Sequence, residues 1–331
     1  MSQLITSRRR WLKVTLSLLA VVLLAYLAIM WVFHHWRGRQ LTYIANYSQS
    51  LELPRGTLEY QDQGEGIPVL FLHGGGGGYD EGIPLRGMRL ITPSRPGYLR
   101  TSRSIGETYQ TEAQAYVQLL DSLGVERTAV VAFSAGGPPA LEIAMAYPER
   151  VASLTLISAV STPREASAPQ PSPLRSWMDR WLGQDFLDWY YSVGLDLFPE
   201  KLMLEGTASL LSPTDQQYLR EHPDNFEFMI QDYQRKAGAH SLRFPGLVND
   251  RRRYATLSAA DTLPIHSPTL LLHGTHDFSV SYEQSLTLSQ RIPGAMLKPI
   301  ERGGHMAYLA RMDETLPMIR AFIMQHWSAG P

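Results

Sequence analysis

The chain has 331 residues, of which 44% are hydrophobic and 18% charged, and its formal net charge is -1. Without a net positive charge, and with only the short arginine runs at 8–10 and 251–253, nucleic-acid binding is not expected. The absence of cysteine excludes disulfides, thiolate metal sites and a cysteine nucleophile. The length suits one α/β core carrying an inserted subdomain.

Residues 14–33 form an uncharged apolar run near the N-terminus. About 20 residues at about 1.5 Å each cross the roughly 30 Å of bilayer hydrocarbon. Tryptophans lie at both ends of the run, at Trp11, Trp31 and Trp36, as is typical of a membrane interface. A cleaved signal is the alternative, but its apolar region is shorter and ends in small residues. The run therefore predicts a single transmembrane helix and the membrane as a partner.

Charge on either side of this helix predicts its orientation. Four basic residues lie in the N-terminal segment 1–13, and Arg37 and Arg39 follow the helix. Because the cytoplasmic flank of a transmembrane helix carries the excess of Lys and Arg, we expect segment 1–13 in the cytoplasm and the domain that follows the helix outside it.

Residues 34–55 are predicted to be a juxtamembrane connection that ends in the turn signal at Pro54–Gly56. Beyond it, short apolar strands alternate with helical patterns. The strands are expected at 58–61, 69–72, 88–92, 128–133, 153–158, 269–272 and 296–300, and the helices at 111–123, 135–147, 282–291 and 306–327. This alternation predicts an α/β fold with a doubly wound, mostly parallel sheet, formed by residues 56–162 and 262–331.

Residues 163–261 interrupt the alternation. They lack the pattern of a buried strand and contain proline-rich turns followed by aromatic residues at helical spacing. An all-helical insertion is therefore expected between two strands of the sheet. Its aromatic residues are either the core of this subdomain or contacts to a substrate, and Trp177 and Trp181 are the candidates for contact.

Ser134 is the candidate nucleophile. It follows the apolar strand 128–133 directly, precedes a helix, and has Ala132 and Gly136 two positions to either side. A serine on such a sharp turn protrudes from the sheet, and small neighbours avoid a clash. The alternative, a serine that merely caps the next helix, does not require small residues on both sides.

A serine hydroxyl needs an adjacent base, and the base needs a carboxylate to orient it. His305 follows Gly303 and Gly304 after the last predicted strand, and Asp277 follows the strand before it. Strand ends at one edge of an open α/β sheet bring such residues together. The order Ser134, Asp277, His305 predicts a catalytic triad.

The glycine loop at residues 74–78 is the candidate oxyanion site, because it follows an apolar strand and lets the backbone approach a substrate. We expect the N–H groups of Gly75 and Ala135 to be the donors. Gly74, which precedes Gly75, and Phe133, which precedes Ser134, are further candidate substrate contacts. A phosphate-binding loop is not favoured, because no Gly-Lys-Ser/Thr follows.

A metal site is the other alternative considered for this edge of the sheet. His273, His276 and Asp277 have a spacing that could serve a metal, but a strand end followed by a loop scatters such side chains. No metal or organic cofactor is therefore expected.

Together these motifs resemble the α/β-hydrolase superfamily, and in particular its capped bacterial branch of esterases, carbon–carbon bond hydrolases and prolyl-iminopeptidase-like enzymes. The sequence Arg95-Pro-Gly-Tyr98 is similar to a loop of that family. The resemblance covers residues 56–327 and implies the doubly wound fold, a helical cap at 163–261 and the triad named above. Ala132 and Leu99 replace glycines of the family pattern. Gly76 and Ala135 replace the proline and tryptophan of the iminopeptidases, which argues against peptidase activity.

The expected function is that of a membrane-anchored serine hydrolase that cleaves an apolar carboxylic ester through an acyl-enzyme. The same triad also suits a carbon–carbon hydrolase or a perhydrolase-like activity. A catalytically silent binding protein is the alternative from a different class. An apolar acyl compound of low molecular mass is the expected substrate, while its identity and the oligomeric state are left open.

Overall fold

The computed structural model describes residues 2–163, 178, 182–257 and 265–327. Its strands are β1 (Gln49–Leu53), β2 (Gly56–Gln63), β3 (Ile67–Leu72), β4 (Met88–Pro93), β5 (Thr128–Phe133), β6 (Val151–Ile157), β7 (Thr269–Gly274) and β8 (Met296–Ile300). Its α-helices are α1 (Ser2–Asn46), α2 (Tyr109–Ser122), α3 (Gly137–Ala146), α4 (Gln184–Leu197), α5 (Pro199–Gly206), α6 (Pro213–Glu221), α7 (Pro223–Lys236), α8 (His240–Tyr254), α9 (Glu283–Arg291), α10 (Ala307–Ala310) and α11 (Met312–Trp327).

The strands form one sheet in the order β1-β2-β4-β3-β5-β6-β7-β8. Strand β2 pairs antiparallel with β1 and β4, and every other pair is parallel. The carboxyl ends of β3, β5, β6, β7 and β8 therefore meet at one edge. The prediction of a mostly parallel α/β sheet is confirmed.

Apolar layers cover the two faces of this sheet. In β3, Val69 and Phe71 belong to a core cluster that includes residues of α10 and α11, while Leu70 and Leu72 belong to a cluster that includes residues of α2 and α3. Successive side chains of a strand point to opposite faces, so a strand buried on both faces is apolar throughout. This explains why the central strands lack polar alternation.

The prediction that residues 34–55 form a connection is wrong. Helix α1 runs without interruption to Asn46, and β1 follows it, pairing along its whole length with β2. The helix persists because its end is packed: Phe33 and Ile44 are 4% and 2% exposed. Tertiary burial stabilises these turns, which carry little signal of their own.

The predicted helix over 306–327 is interrupted. Helix α10 ends at Ala310 and α11 begins at Met312. The Ala310 carbonyl accepts a hydrogen bond from the Asn225 amide, and the Arg311 guanidinium binds Asp215. These contacts to α6 and α7 replace the continuation of the helix.

The segment between β6 and β7 carries helices α4 to α8, and its described residues contain no strand, as expected for a helical cap. The candidate substrate contacts Trp177 and Trp181 lie outside the described residues.

A buried ionic cluster joins the cap to the core. The Arg95 guanidinium, which is fully buried, makes a bidentate pair with Asp250 of α8 and lies 3.4 Å from the Glu112 carboxylate of α2. Tyr98 donates to Asp250 over 2.6 Å, and Arg253 of α8 also pairs with Glu112. Buried charges are retained only when paired, so α8 is held in one position on the sheet.

Candidate active site

The turn that carries Ser134, the candidate nucleophile, follows β5 directly. Ser134 has φ +49°, in the left-handed region that L-residues rarely occupy. Close packing around the turn explains its small residues: a Cβ on Gly136 would lie 2.3 Å from the Leu72 carbonyl oxygen. The Ser134 carbonyl accepts a hydrogen bond from the Val160 N–H over 2.9 Å, which holds the turn in place.

Ser134, His305 and Asp277 form a continuous hydrogen-bonded chain. His305 Nε2 lies 2.9 Å from Ser134 Oγ, and His305 Nδ1 lies 2.7 Å from Asp277 Oδ2. Each residue is 7–8% exposed. Because a carboxylate only accepts, the histidine proton lies on Nδ1 and Nε2 is free to take the serine proton. The structure thus brings together the three residues predicted from separate motifs.

Asp277 is held as a carboxylate. Burial alone raises the pKa of this group, but hydrogen bonds from His273 and His305 outweigh it and hold the pKa well below its usual range. The Ser279 and Val280 N–H groups also donate to Asp277 Oδ1, over 2.8 and 2.9 Å. Asp277 therefore stays charged and fixed in position beside His305.

His273 is a positioning residue that the sequence analysis did not identify. It is fully buried at the end of β7, and its Nδ1 lies 2.6 Å from Ser285 Oγ. Its Nε2 lies 2.9 Å from the Val280 carbonyl oxygen and 3.2 Å from Asp277 Oδ2. His276, by contrast, is exposed. Among the described residues, no group of three or more His, Asp or Glu side chains is arranged to hold a metal ion.

The glycine loop lies beside Ser134 at the end of β3. The Gly74 N–H is already used, since it donates to Glu81 Oε1 over 3.1 Å. Within the described part of the chain, the Gly75 N–H has no hydrogen-bond acceptor. The Ala135 N–H, in the first turn after Ser134, has no acceptor within its helix either. These are the two donors expected from the sequence.

His73 fastens the glycine loop to the core. Its Nδ1 lies 2.7 Å from the Gly74 carbonyl oxygen, and the Arg95 N–H donates to its Nε2 over 2.8 Å. Burial, with a smaller contribution from the charge of Arg95, holds the pKa of His73 well below 6.5. His73 is therefore a neutral, structural imidazole.

Phe133 and Gly74, two candidate substrate contacts, are packed against each other. A Cβ on Gly74 would lie 2.7 Å from the Phe133 ring, and that ring is centred 5.0 Å from His305 and 4.7 Å from Tyr308. Phe133 is 6% exposed. It supports the His305 imidazole from the side of the sheet.

The cap contacts the catalytic elements at two places. Leu247 of α8 lies over the glycine loop, because a Cβ on Gly75 would be 3.3 Å from its Cδ1. The turn before His305 is held from the cap side, where the Gly304 N–H donates to Asp215 and the Met306 N–H donates to the Leu210 carbonyl. A movement of the cap would therefore displace both the glycine loop and the turn that carries His305.

Comparisons with known proteins agree with the fold. The profile of the family described as the alpha/beta hydrolase fold matches residues 67–311. The chain is 31% identical over 273 residues to YcgS, an uncharacterized hydrolase of Bacillus subtilis, covering 80% of this chain and 93% of YcgS. It is 28% identical over 286 residues to 2-hydroxy-6-oxo-6-phenylhexa-2,4-dienoate hydrolase of Comamonas testosteroni, covering 81% and 91%. A solved alpha/beta hydrolase fold protein of Nakamurella multipartita superposes with a TM-score of 0.74 at 27% identity, covering 86% of this chain and all of that one.

Proposed function

Since this chain belongs to the α/β-hydrolase family and is a hydrolase, we propose that it is a serine hydrolase, with Ser134 as nucleophile, His305 as general base and Asp277 as the residue that orients His305. The observation that carries the proposal is the unbroken hydrogen-bonded chain from Ser134 Oγ through the imidazole to the Asp277 carboxylate. An N-cap serine has no need of such a chain.

Acylation begins when Ser134 Oγ attacks the substrate carbonyl carbon and His305 Nε2 takes the hydroxyl proton. The Gly75 and Ala135 N–H groups stabilise the negative charge that develops on the carbonyl oxygen. The tetrahedral intermediate collapses, and the leaving oxygen receives the proton from His305. Asp277 stabilises the imidazolium without taking its proton.

Deacylation repeats these steps with water. His305 removes a proton from a water molecule, the hydroxide attacks the acyl carbonyl, and Ser134 leaves as the alcohol after the proton returns to its oxygen. The products are a carboxylic acid and the free enzyme.

The proposed substrate is an apolar carboxylic ester of low molecular mass. The Phe133 ring beside His305 and the Leu247 side chain over the glycine loop support it, because both place an apolar group next to residues that are proposed to act on the substrate. Hydrolysis of a carbon–carbon bond by the same triad is the second candidate. The similarity to the Comamonas enzyme supports it, since the substrate in that enzyme's name is a keto acid rather than an ester.

The proposal also includes a membrane anchor. The part of α1 from Arg10 to Asn46 is long and apolar enough to cross a membrane, with a mean hydropathy of 2.6 over its most apolar window and 6% of that window buried. A core helix of a folded domain would be mostly buried, whereas Leu19, Val22 and Leu24 are 60–66% exposed. Residues 14–33 would cross the membrane, with the catalytic domain outside the cytoplasm because of the basic residues at 8–13.

The test of the catalytic proposal uses the full chain in detergent micelles, with a fluorophosphonate label and a panel of p-nitrophenyl esters of increasing acyl length. Ser134→Ala is expected to lose the label and to lower turnover by about 10⁶-fold, as for the nucleophile of a comparable triad. Ser153→Ala is the matched control, because this buried β6 hydroxyl has no hydrogen-bond partner within the described structure. It should keep both the label and the activity.

Two other results would redirect the proposal. Cleavage of keto acids with no ester hydrolysis would favour the carbon–carbon hydrolase. A wild-type chain that takes no fluorophosphonate label and cleaves no substrate of either class would favour a binding protein.

A further inference from the structure

We propose that helix α4 of the cap lies on the lipid surface beside α1, as a second membrane contact that does not cross the bilayer. This inference rests on the anchoring role given to α1 in the proposed function. It concerns a surface that neither the triad nor the glycine loop uses.

Helix α1 reaches the cap at the point where its apolar run ends. The Phe33 ring is 4% exposed and is centred 5.2 Å from the Phe186 ring and 5.7 Å from the Trp189 ring of α4. Val32, the residue before it, is 46% exposed. Phe33 is therefore both the last residue of the predicted span and the first to be enclosed by the catalytic domain.

Further contacts along α1 show which part of the domain lies nearest the membrane. A Cβ on Gly238 would lie 2.5 Å from the Trp36 ring, and Ile44 accepts a hydrogen bond from the Tyr79 hydroxyl over 2.6 Å. At about 1.5 Å of rise per residue, Ile44 is about 16 Å further along the helix than Phe33. The α4 contact comes first, so among the described elements of the domain α4 is the one closest to the end of the span.

The outer face of α4 is an apolar stripe that begins at this contact. Its residues are spaced i, i+4, i+7 and i+11, which places them on one side of a helix. They are Phe186, Tyr190, Val193 and Leu197. The last three are 68%, 40% and 68% exposed, and Phe198 at the end of the helix is 62% exposed. An exposed apolar surface of this kind marks a contact with another body.

The charges of α4 point away from the stripe. Asp185 pairs with Arg37 of α1 and accepts from the Ser241 N–H, and Asp188 lies 3.8 Å from the His240 imidazole. Asp196 accepts a hydrogen bond from the Gln234 amide. Asp185 and Asp188 are thus held on the protein side, whereas Asp196 is exposed but about 90° around the helix from the stripe, so none of the three carboxylates lies within the stripe itself.

The lipid surface fits this stripe better than a protein partner does, because the stripe continues the exposed apolar surface of α1. An interfacial helix carries Trp, Phe and Leu on its buried face, and Trp and Tyr settle at the headgroup level. Trp189 packs on Phe33 at the end of the span, and Tyr190 follows it on the exposed face of α4. A second copy of the chain is the competing occupant.

The test exploits the absence of cysteine from the chain. Single variants Val22→Cys, Leu197→Cys and Met318→Cys of the full chain are labelled with an environment-sensitive fluorophore and reconstituted in phosphatidylcholine vesicles. All three side chains are exposed, and Met318 is the matched control because it lies on α11, which belongs neither to α1 nor to the cap. The vesicles carry nitroxide lipids labelled either near the headgroup or in the middle of the acyl chain.

The probe at 197 is expected to shift its emission to the blue and to be quenched by the headgroup nitroxide. The probe at 22 should be quenched by the mid-chain nitroxide, and the probe at 318 by neither. If 22 is quenched but 197 behaves like 318, α4 does not touch the lipid and only the anchor remains. If 22 is also unquenched, the anchor fails as well. Shielding of 197 that depends on protein concentration, without nitroxide quenching, would assign the stripe to a second copy.

Discussion

Asp277 accepts hydrogen bonds from two histidines that have different roles. His305 faces the serine, whereas His273 is enclosed between Asp277 and Ser285. The Ser279 and Val280 N–H groups hold Oδ1, and His273 lies against Oδ2, so that Oδ2 points at His305 Nδ1. A carboxylate held in this way can maintain the tautomer that makes Nε2 a base.

Replacing Asp277 by Asn tests this role. An amide that donates to Nδ1 would stabilise the wrong tautomer, and kcat should fall by about 10⁴-fold while the fold is kept. Steady-state kinetics on the best ester of the panel measures the change. Asp62→Asn, at a surface pair with Arg89, is the control and should leave kcat unaltered. A loss of less than tenfold in Asp277→Asn would show that Asp277 does not orient the base.

The three residues of the proposed triad could be predicted to lie together because each lies in a short local motif at a strand end, and a parallel sheet brings those ends to one edge. His273 and Glu81 were not predicted as supporting residues. His273 contacts Asp277, four positions away, and Glu81 accepts a hydrogen bond from Gly74, seven positions away. Whether such residues meet depends on how the loop between them folds. Spacing in the sequence gives no measure of such contacts.

At the scale of elements, the position of α8 depends on charges that are out of contact with water. Arg95, Glu112, Asp250 and Arg253 are each no more than 4% exposed. The Arg253 guanidinium also lies 3.9 Å from the Tyr109 ring centre. Helix α8 carries Leu247 to the glycine loop, so the same charges determine how the cap covers the site.

Asp250→Asn removes one charge from this cluster and leaves a buried arginine underpaired. We expect the free energy of unfolding to fall by about 3–5 kcal/mol, measured by chemical denaturation of the full chain in a mild detergent. The exposed pair of Arg220 with Glu200 is the matched control, and Glu200→Gln should cost less than about 1 kcal/mol. If the two variants lowered the free energy of unfolding equally, the buried cluster would not hold α8 as described.

Helix α1 and strand β1 show where sequence patterns fail at this scale. Residues beyond 33 carry charges and no continuous apolar run, so they resemble a linker, yet packing on α4 and on Tyr79 keeps them helical. Strand β1 is an edge strand with mostly exposed residues, which weakens its alternation. Both elements depend on partners that are distant in the sequence.

For the whole molecule, His73 makes stability depend on pH. The unfolded chain binds a proton on this imidazole near pH 6.5, whereas the folded chain resists protonation until well below that value. The unfolded state thus holds more protons below pH 6.5, and stability falls as the pH falls, by up to about 1.4 kcal/mol per pH unit. Asp277, whose folded pKa is depressed, contributes in the same direction only at more acidic pH.

Unfolding free energies of wild type and His73→Gln between pH 7 and pH 5 test this contribution. Burial raises the pKa of Glu81 and Asp250, and these groups act in the opposite direction in both proteins, so the difference between the two slopes isolates His73. The variant should have the flatter profile, and the exposed His276→Gln should follow wild type. Identical slopes for all three would show that His73 does not titrate as described.

Helix α1 has no break between Ser2 and Asn46. The connection between the apolar run and the catalytic domain is therefore a rigid helix and not a flexible linker. A flexible linker that gains a residue becomes slightly longer. A helix that gains a residue turns everything beyond it by about 100° and raises it by about 1.5 Å. In the proposed anchor, the angle at which the catalytic domain faces the bilayer is therefore set by a residue count, and a single residue inserted just before Phe33 would rotate α4 away from the surface.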